Sequence, residues 1–339
     1  MTSIIEQIAI DLNVSGATVS RALNDRPGVS KALREKILLR AQELNYVPNI
    51  IARGLATSQT FTLGFFVRTK PDHLSAQTDP FYGQVLQGVE HASAGTEYHV
   101  AIGTLTPEIL SAPSDFRFVR ERRVDGMILA GPDIPTDFIL AMRATGIPIV
   151  LVDNKLVHST INCVNTDDKE GGYTAAQHLI QYGHQYIGVI SGPQHWYSNA
   201  RRVRGVHEAL TEAGLPMLAA YEELTSIESG ERATQKLIEA HPEITGICAV
   251  NDAMAFGAIR TLRRLGRQVP DDVSVVGFDN IEWAKLNDPA LTTIDVPKHQ
   301  LGQEAAQRLL TILGNENETH PIEIVVSTQL IIRHSTRGL

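Results

Sequence analysis

The first part of the chain alternates apolar and polar positions with a helical period, in pieces too short for one long helix. Apolar residues recur three or four positions apart over 4–12, which predicts one helical face. A polar break follows, and Ser15 is placed to cap a second helix whose inner side would carry Val19 and Ala22. A third helix is predicted over 30–44. Two short helices with a tight turn, closed by a third helix, are typical of a helix-turn-helix domain.

After Thr60 the pattern changes to short apolar runs separated by amphipathic segments. The apolar runs are predicted strands and lie at 61–67, 98–104, 125–131, 147–153, 186–191, 246–251 and 273–279. Helical periodicity fills intervals such as 82–94, 170–182, 200–213, 229–240 and 253–265. Nearly continuous apolar strands with helices between them favour parallel sheets covered on both faces. The predicted fold class is therefore a small all-α domain followed by an α/β core with two doubly wound parallel sheets.

Composition and charge are compatible with a folded protein that binds nucleic acid. The chain has 339 residues, 43% of them hydrophobic and 20% charged, which suggests two or three folded domains. The formal net charge is −8, but residues 1–60 carry seven Lys or Arg against five Asp or Glu, so the acidic excess belongs to the remainder. Attraction to phosphate acts within a Debye length of about 8 Å. The local basic patch matters more than the total, and DNA binding is not excluded.

Targeting and cysteine usage add two expectations. No apolar run approaches the roughly 18 residues needed to span a membrane, and Glu6 and Asp11 occupy the start of the chain, where a secretion signal would be basic. A cytoplasmic location is therefore expected. Cys163 and Cys248 each lie in an apolar stretch without the spacing of metal ligands, which predicts two reduced core residues.

Polar residues stand where several predicted strands end. They are Asp153, Asn251, Asp252 and Asp279. Ligands of open α/β sheets bind beyond the carboxyl ends of the strands, and carboxylates and amides at these ends suit the recognition of hydroxyl groups. The alternative is that Asp252 and Asp279 only cap the segments that follow them. Three coinciding strand ends favour the pocket.

The chain resembles the LacI/GalR transcription regulators. The resemblance begins in VSGATVSRALNDRPGVSKALREKILLRAQELNYVPNIIARGLATSQTFTLGFFV and continues through DPFYGQVLQGVE, RRVDGMILAG, HLIQYGHQYIGVISGP, AVNDAMAFGAIRTLRRLGRQVPDDVSVVGFDN, DPALTTIDVP and LIIRHSTR. It covers essentially the whole chain in the usual order. It implies a homodimer that binds pseudo-palindromic double-stranded operator DNA, with a core like a periplasmic sugar-binding protein that responds to a small effector.

The second helix should enter the major groove. Arg21 has the reach and charge to contact a guanine edge or a phosphate, while Gly16 and Ala17 have almost nothing with which to form hydrogen bonds. Sequence choice should therefore depend on Arg21, on methyl contacts of Thr18 and Ala17, and on DNA shape. The residues assigned to DNA in this domain are Ser15, Gly16, Ala17, Thr18, Ser20, Arg21, Asn24 and Ser30.

The segment NIIARGLATS resembles the hinge helix of the family, in which a leucine enters the minor groove. The matching positions are Asn49, Ala52, Arg53 and Leu55. A helix of about ten residues with an internal glycine is marginal alone, which suits folding coupled to DNA binding. The predicted domains are the helix-turn-helix over 1–47, the hinge over 48–60, and a core over 61–339. Its lobes are predicted at about 61–163 plus 296–323, and at about 164–295 plus 324–339.

For the effector, the resemblance implies a pocket between the two lobes. The matching residues are Phe81, Tyr82, Asp153, Trp196, Ser198, Arg202, Asn251, Asp252 and Asp279. A saccharide or glycoside is the favoured ligand class, with nucleobases and phosphorylated sugars as alternatives; the lack of a basic cluster beyond Arg202 weakens phosphate. The long segment 68–80 would place His73 and Asp79 near the pocket mouth, and Trp283 is predicted to be loop or core packing.

Two other function classes explain the sequence less well. A stand-alone sugar-binding protein of the periplasmic type would explain the core but not residues 1–58. An enzyme is disfavoured because the sequence has no G-x-S-x-G, P-loop, H-E-x-x-H or G-x-G-x-x-G motif after a strand. No catalytic residue, cofactor or metal site is therefore expected. His178 and His184 are interpreted as a helix-surface and turn pair rather than metal ligands.

Overall fold

The chain is divided into two compact units, Met1–Phe61 and Thr62–Leu339. The structure, a computed structural model, describes residues 3–23, 26–46, 59–68, 77, 79–156, 160–315, 318 and 320–339. Within these residues no helix is long and apolar enough to cross a membrane.

The first unit is a three-helix cluster. Its helices are α1 (Ile4–Asp11), α2 (Gly16–Leu23) and α3 (Lys31–Glu43). Hydroxyl oxygens cap two of them as predicted: the Ser15 Oγ accepts the backbone N–H of Thr18 at 3.1 Å, and the Ser30 Oγ accepts that of Leu33 at 3.4 Å. The buried side chains that join the helices are Ile8, Ala9, Val19, Ala22, Ile37 and Ala41. The predicted helix-turn-helix is confirmed.

The second unit contains two six-stranded sheets, one in each lobe. The first sheet has the order β11-β5-β4-β3-β1-β2 and the second β12-β10-β9-β8-β6-β7. The strands are β1 (Thr62–Arg68), β2 (His99–Leu105), β3 (Gly126–Ala130), β4 (Ile149–Val152), β5 (Asn162–Thr166), β6 (Ile187–Ser191), β7 (Leu218–Tyr221), β8 (Gly246–Ala249), β9 (Ser274–Asp279), β10 (Thr292–Asp295), β11 (Glu323–Val326) and β12 (Gln329–Ile331).

The strand pairs are parallel except for β10 with β12. Helices alternate with the strands: α4 (Tyr82–Ser93), α5 (Pro107–Ser111), α6 (Arg117–Arg120), α7 (Thr136–Ala144), α8 (Asp168–Gln181), α9 (Tyr197–Glu212), α10 (Ile227–Ala240), α11 (Asp252–Arg264), α12 (Trp283–Leu286) and α13 (Lys298–Gly314). This is the predicted fold class of two doubly wound parallel sheets. Cys163 and Cys248 are buried free thiols, as predicted.

The chain changes lobe slightly later than predicted. The predicted boundaries after 163 and 323 cut through β5 and β11, which pair with each other from Glu323 opposite Cys163 to Val326 opposite Thr166. Both strands belong to the first sheet. Because the paired strands are some 160 residues apart in the chain, the local pattern could not locate these crossings.

Backbone contact between α8 and α9 determines the position of the polar side chains described next. A β-carbon on Gly172 would lie 2.1 Å from the carbonyl oxygen of Arg202, and one on Gly205 would lie 1.9 Å from that of Lys169. Only glycine allows two helices to approach so closely. The contact brings Arg202 on α9 against Asp168, the first residue of α8.

Candidate functional site

The first candidate surface is the outer side of α2. Val19 and Ala22 are buried against α1 and α3, whereas Ala17, Ser20 and Arg21 are exposed and lie three or four residues apart, on one face. The same helix thus separates a packing side from a polar side with one cation. This is the arrangement that a recognition helix in the major groove requires.

The other predicted residues of this unit have mixed positions. Ser15 and Thr18 share a hydrogen bond of 2.9 Å between their hydroxyl oxygens. Gly16 and Thr18 are half-buried, and Ser30 is exposed at the start of α3. Some predicted DNA contacts lie outside the described residues: Asn24, Asn49, Ala52, Arg53 and Leu55. His73, predicted near the pocket mouth, lies outside them as well. Their assignments stay predictions.

The second candidate site lies at the carboxyl ends of the core strands, around the guanidinium of Arg202. Arg202 is 6% exposed. Its Nε donates to Asp168 Oδ1 at 2.8 Å, and its Nη1 donates to the carbonyl of Val250 at 2.7 Å and to Asp279 Oδ1 at 3.1 Å. The guanidinium also lies 3.8 Å from the centroid of the Phe278 ring. Burial lowers the pKa of Arg202, but the carboxylates of Asp168, Asp279 and Asp153 raise it overall, so Arg202 is cationic.

The carboxylates of this cluster are held in unusual conditions. Asp153 and Asp279 have left-handed backbones, with φ of 55° and 102°, and strained strand-end residues of this kind are common in ligand sites. The Tyr82 hydroxyl donates to Asp153 Oδ2 at 2.9 Å. Burial raises the pKa of Asp153 to about 7 and that of Asp279 to about 6, although Arg202 lowers both. Part of the charge of this site is therefore sensitive to pH.

The aromatic and hydroxyl residues predicted for the pocket lie close in sequence to members of this cluster. Phe81 is half-buried, packs edge-on against Tyr82 with ring centroids 5.0 Å apart, and contacts apolar clusters that include second-lobe residues. Trp196 is half-buried and immediately precedes α9, while Ser198 in the first turn of α9 is 3% exposed. Asp79, predicted near the pocket mouth, accepts the backbone N–H groups of Phe81 and Tyr82, both at 2.9 Å.

Asn251 and Asp252 have structural roles in this conformation. Asn251 caps α11 by accepting the backbone N–H of Met254 at 2.9 Å, and its amide donates to the carbonyl of Thr225 at 3.1 Å. Asp252 is 0% exposed, and its two oxygens accept the hydroxyl of Thr293 at 2.6 Å and the backbone N–H of Ile281 at 2.8 Å. The prediction that Asp252 contacts the effector is therefore corrected: it joins β10 to the loop after β9.

Comparison with known proteins gives the same division of the chain. A family model described as "Bacterial regulatory proteins, lacI family" matches residues 4–49, and one described as "Periplasmic binding proteins and sugar binding domain of LacI family" matches residues 62–334. The chain belongs to the LacI family. It is thus a DNA-binding transcription regulator with a core of the periplasmic-binding type.

Individual LacI-family proteins resemble it over their full length. The "Probable HTH-type transcriptional repressor ExuR" of Bacillus subtilis is 33% identical over 99% of this chain and 98% of its own. The "HTH-type transcriptional regulator CelR" of Thermobifida fusca is 32% identical, covering 98% and 97%. Since these relatives are regulators and repressors, the expectation of a regulator rather than an enzyme is confirmed.

Two solved LacI-family structures match as well. A complex of the regulator CelR with cellobiose has a TM-score of 0.74 at 30% identity, covering 98% of this chain and 99% of that chain. A lac repressor dimer bound to operator and the anti-inducer ONPF has a TM-score of 0.79 at 27% identity, covering 99% of each chain.

Two polar residues of this LacI-family core were missed by sequence reasoning. Asp168 lies two residues after β5, near the same strand ends as Asp153, but the strand sequence NCVNT is too polar to be recognised. Lys298 is 3% exposed, and its Nζ donates to the carbonyls of Asp279 at 2.5 Å, Val296 at 2.9 Å and Asn280 at 3.3 Å. No local signal marks Lys298, because its partners are backbone atoms.

Two further predictions were wrong. His178 and His184 are buried, not on a helix surface: His178 pairs with the Thr336 hydroxyl at 2.9 Å, and His184 pairs with the Thr245 hydroxyl at 3.0 Å. Among the described residues no group of three or more His, Cys, Asp or Glu could hold a metal ion.

Trp283 was predicted to be loop or core packing. It is the first residue of α12, and its side chain is 49% exposed, so it is not part of the core.

A cavity of about 420 Å³ lies beside the Arg202 cluster, where β10 leads into α13. It is lined by polar residues that include Gln84, Asn280, Lys285, Lys298 and Gln303. None of the predicted effector residues lines it. The strand-end cluster and this cavity are thus separate features of the same region.

Asp252 should make stability depend on pH. Burial raises its pKa to about 8, so the folded protein holds this proton more tightly than the unfolded chain. The stabilisation is complete at low pH and is lost as the pH rises from about 4 towards 8, by about 5 kcal/mol. Between pH 5 and 8 the melting temperature of the wild type should fall more than that of Asp252→Asn. Parallel melting curves across this range would contradict the assignment, since all other titrating groups are shared.

Proposed function

We propose that this chain is a cytoplasmic, homodimeric repressor of carbohydrate-utilisation genes, whose operator affinity is controlled by a sugar or glycoside bound between its two lobes. The observation that carries the proposal is the Arg202 cluster at the strand ends of a LacI-family core, in a chain that begins with a helix-turn-helix. Carboxylate oxygens and a guanidinium offer the hydrogen bonds that sugar hydroxyls require. The CelR complex with cellobiose supports the ligand class.

At the DNA, two helix-turn-helix units of the dimer would contact two half-sites of a pseudo-palindrome. Residues 1–47 would read the operator, residues 48–60 would form the hinge, and Leu55 would unstack a base step in the minor groove. The lac repressor dimer bound to operator supports this arrangement. Operator choice would depend mainly on Arg21 and on DNA shape, because Gly16 and Ala17 have no hydrogen-bonding side chain.

At the effector site, the residues proposed to contact ligand are Phe81, Tyr82, Asp153, Trp196, Ser198, Arg202, Asn251 and Asp279. They come from both lobes, so a ligand between them would favour one angle between the lobes. The operator affinity would change only as far as the ligand binds the two lobe arrangements with different affinities. Sugar binding and DNA binding would thus be coupled without shared residues.

The test combines two measurements on the full chain. A thermal-shift screen against sugars and glycosides should find a ligand that raises the melting temperature, since a ligand at 100 times its Kd adds about 2.7 kcal/mol. The same ligand should change the affinity for operator DNA in a mobility-shift assay at fixed salt. A ligand that stabilises the core and leaves operator affinity unchanged would contradict the proposed control.

Arg21→Ala tests the DNA surface. Arg21 is exposed on the outer side of α2, so the substitution should not unfold the domain. Loss of a contact to a base edge should weaken operator binding by about 1–3 kcal/mol, roughly ten- to a hundredfold. The measurement is a mobility-shift assay at matched salt, with the exposed Lys36→Ala of α3 as control. Wild-type affinity in Arg21→Ala would show that α2 does not read the operator.

A further inference from the structure

The guanidinium of Arg202 has few free donors. Nε is engaged by Asp168, and Nη1 by the Val250 carbonyl and Asp279. Among the described residues, Nη2 donates to no protein atom, so it is the donor left for a ligand. Arg202 can thus donate to a ligand from one nitrogen only, Nη2.

This restriction decides which ligands Arg202 can bind well. Arginine binds carboxylates and phosphates most strongly when two neighbouring nitrogens of its fork donate in parallel. Such a pair is either Nη1 with Nη2 or Nε with Nη2, and each contains a nitrogen that is already engaged. A single hydroxyl needs only one donor. The guanidinium is therefore suited to a hydroxyl and poorly suited to an anion.

The charges around the site act in the same direction. Asp153, Asp168 and Asp279 surround one guanidinium. Lys298 lowers the pKa of Asp279 but offers a ligand no hydrogen bond, because the three backbone carbonyls of Asp279, Val296 and Asn280 accept from its Nζ, which has only three protons. With Arg202 and Lys298 set against three carboxylates, an anionic ligand would find no excess positive charge in a buried site, where screening is weak.

Asp168 contributes to both effects, because it occupies Nε of Arg202 and adds a carboxylate to the site. It is 1% exposed, and the Thr166 hydroxyl donates to its Oδ1 at 2.9 Å, which fixes the carboxylate against Nε of Arg202. We infer that Asp168 makes this site select uncharged polyhydroxylated ligands over their anionic counterparts, uronates and sugar phosphates. Asp168 is a positioning residue, since it acts through Arg202. The inference rests on the proposed sugar effector.

The first test needs no variant. The wild-type chain is titrated by calorimetry, at constant ionic strength, with glucose against glucuronate, galactose against galacturonate, and ribose against ribose 5-phosphate. In each pair whose neutral member binds, the anionic member should bind about tenfold more weakly or worse. An anion that binds as tightly as its neutral partner overturns the selectivity and leaves the sugar effector intact. Binding of neither class overturns the proposed effector, and this inference with it.

Substitutions then assign the selectivity to Asp168. Asp168→Asn removes the charge and keeps an acceptor for Nε, whereas Asp168→Ala also frees Nε. The affinity for the anion relative to its neutral partner should rise about tenfold in Asp168→Asn and further in Asp168→Ala. A merely structural role would weaken both ligands and leave their ratio unchanged.

The matched control is Asp167→Asn. It changes the same charge one residue earlier, at a half-buried position where the side chain caps α8 by accepting the Glu170 N–H at 3.3 Å. It should keep the wild-type ratio. Equal ratios in Asp167→Asn and Asp168→Asn would overturn the role of Asp168, and this comparison stands even if Asp168→Ala fails to fold.

Discussion

Arg202→Leu is expected to lower the free energy of unfolding by about 3–5 kcal/mol, because removing one partner of a buried ionic cluster leaves the others uncompensated. When ionised, Asp168 and Asp279 can only accept hydrogen bonds. Both are buried, and the guanidinium of Arg202 donates to each of them. Without the guanidinium, their pKa values rise further above the ordinary range. The loss should therefore be larger at pH 8 than at pH 5, since the carboxyls can take up protons at the lower pH.

The control for this prediction is Arg204→Leu, which makes the same change on an exposed position of the same helix. It should shift stability by no more than about 0.5 kcal/mol. Thermal unfolding at the two pH values measures both variants. Similar losses in Arg202→Leu and Arg204→Leu would mean that the cluster contributes nothing beyond an ordinary surface arginine.

A milder change separates stability from regulation. Asp279→Asn keeps an oxygen that can accept from Arg202 but removes one charge of the cluster. It should retain operator binding and lose the response to the effector. A full response in this variant would remove Asp279 from the proposed pocket, whatever its effect on the melting temperature.

The sequence could predict the elements whose signal is local. Helix α2 was predicted because Val19 and Ala22 recur at helical spacing behind a capping Ser15, and both parts of that pattern depend on neighbours in the chain. Asp153 and Asp279 were found because each stands at the carboxyl end of a largely apolar strand. The resemblance to LacI/GalR regulators then supplied Arg202, which no local pattern distinguishes from other helical arginines.

What the sequence could not supply depends on contacts between distant residues. Asp252 was assigned to the ligand because nothing near it shows that Thr293, 41 residues later, already bonds to its carboxylate. His178 was placed on a surface because its partner Thr336 is 158 residues away. Strands β5, β7, β10, β11 and β12 were not predicted. Polar residues interrupt the apolar run in β5, β10, β11 and β12, and Asp168 was missed together with β5.

Gly172→Ala is expected to damage the fold and the site together. The new β-carbon would lie 2.1 Å from the carbonyl oxygen and 3.0 Å from the Cα of Arg202. Both are backbone atoms, so no side-chain rotation relieves the overlap, and α8 and α9 must separate. Forcing extra volume into a close-packed core costs typically 1–3 kcal/mol and sometimes more. The upper part of that range, about 3 kcal/mol, is expected here.

The same separation would move Arg202 away from Asp168, because the obstructed carbonyl belongs to Arg202 itself and Asp168 lies one turn before Gly172 on α8. Gly172→Ala should therefore also weaken the effector response of whatever fraction stays folded. Gly314→Ala is the matched control: this residue ends α13 and has no atom within 4 Å of an added β-carbon. It should be neutral or stabilise by up to about 1 kcal/mol, since alanine restricts the unfolded chain. If calorimetry found the two variants equally stable, α8 and α9 could not be in backbone contact at Gly172.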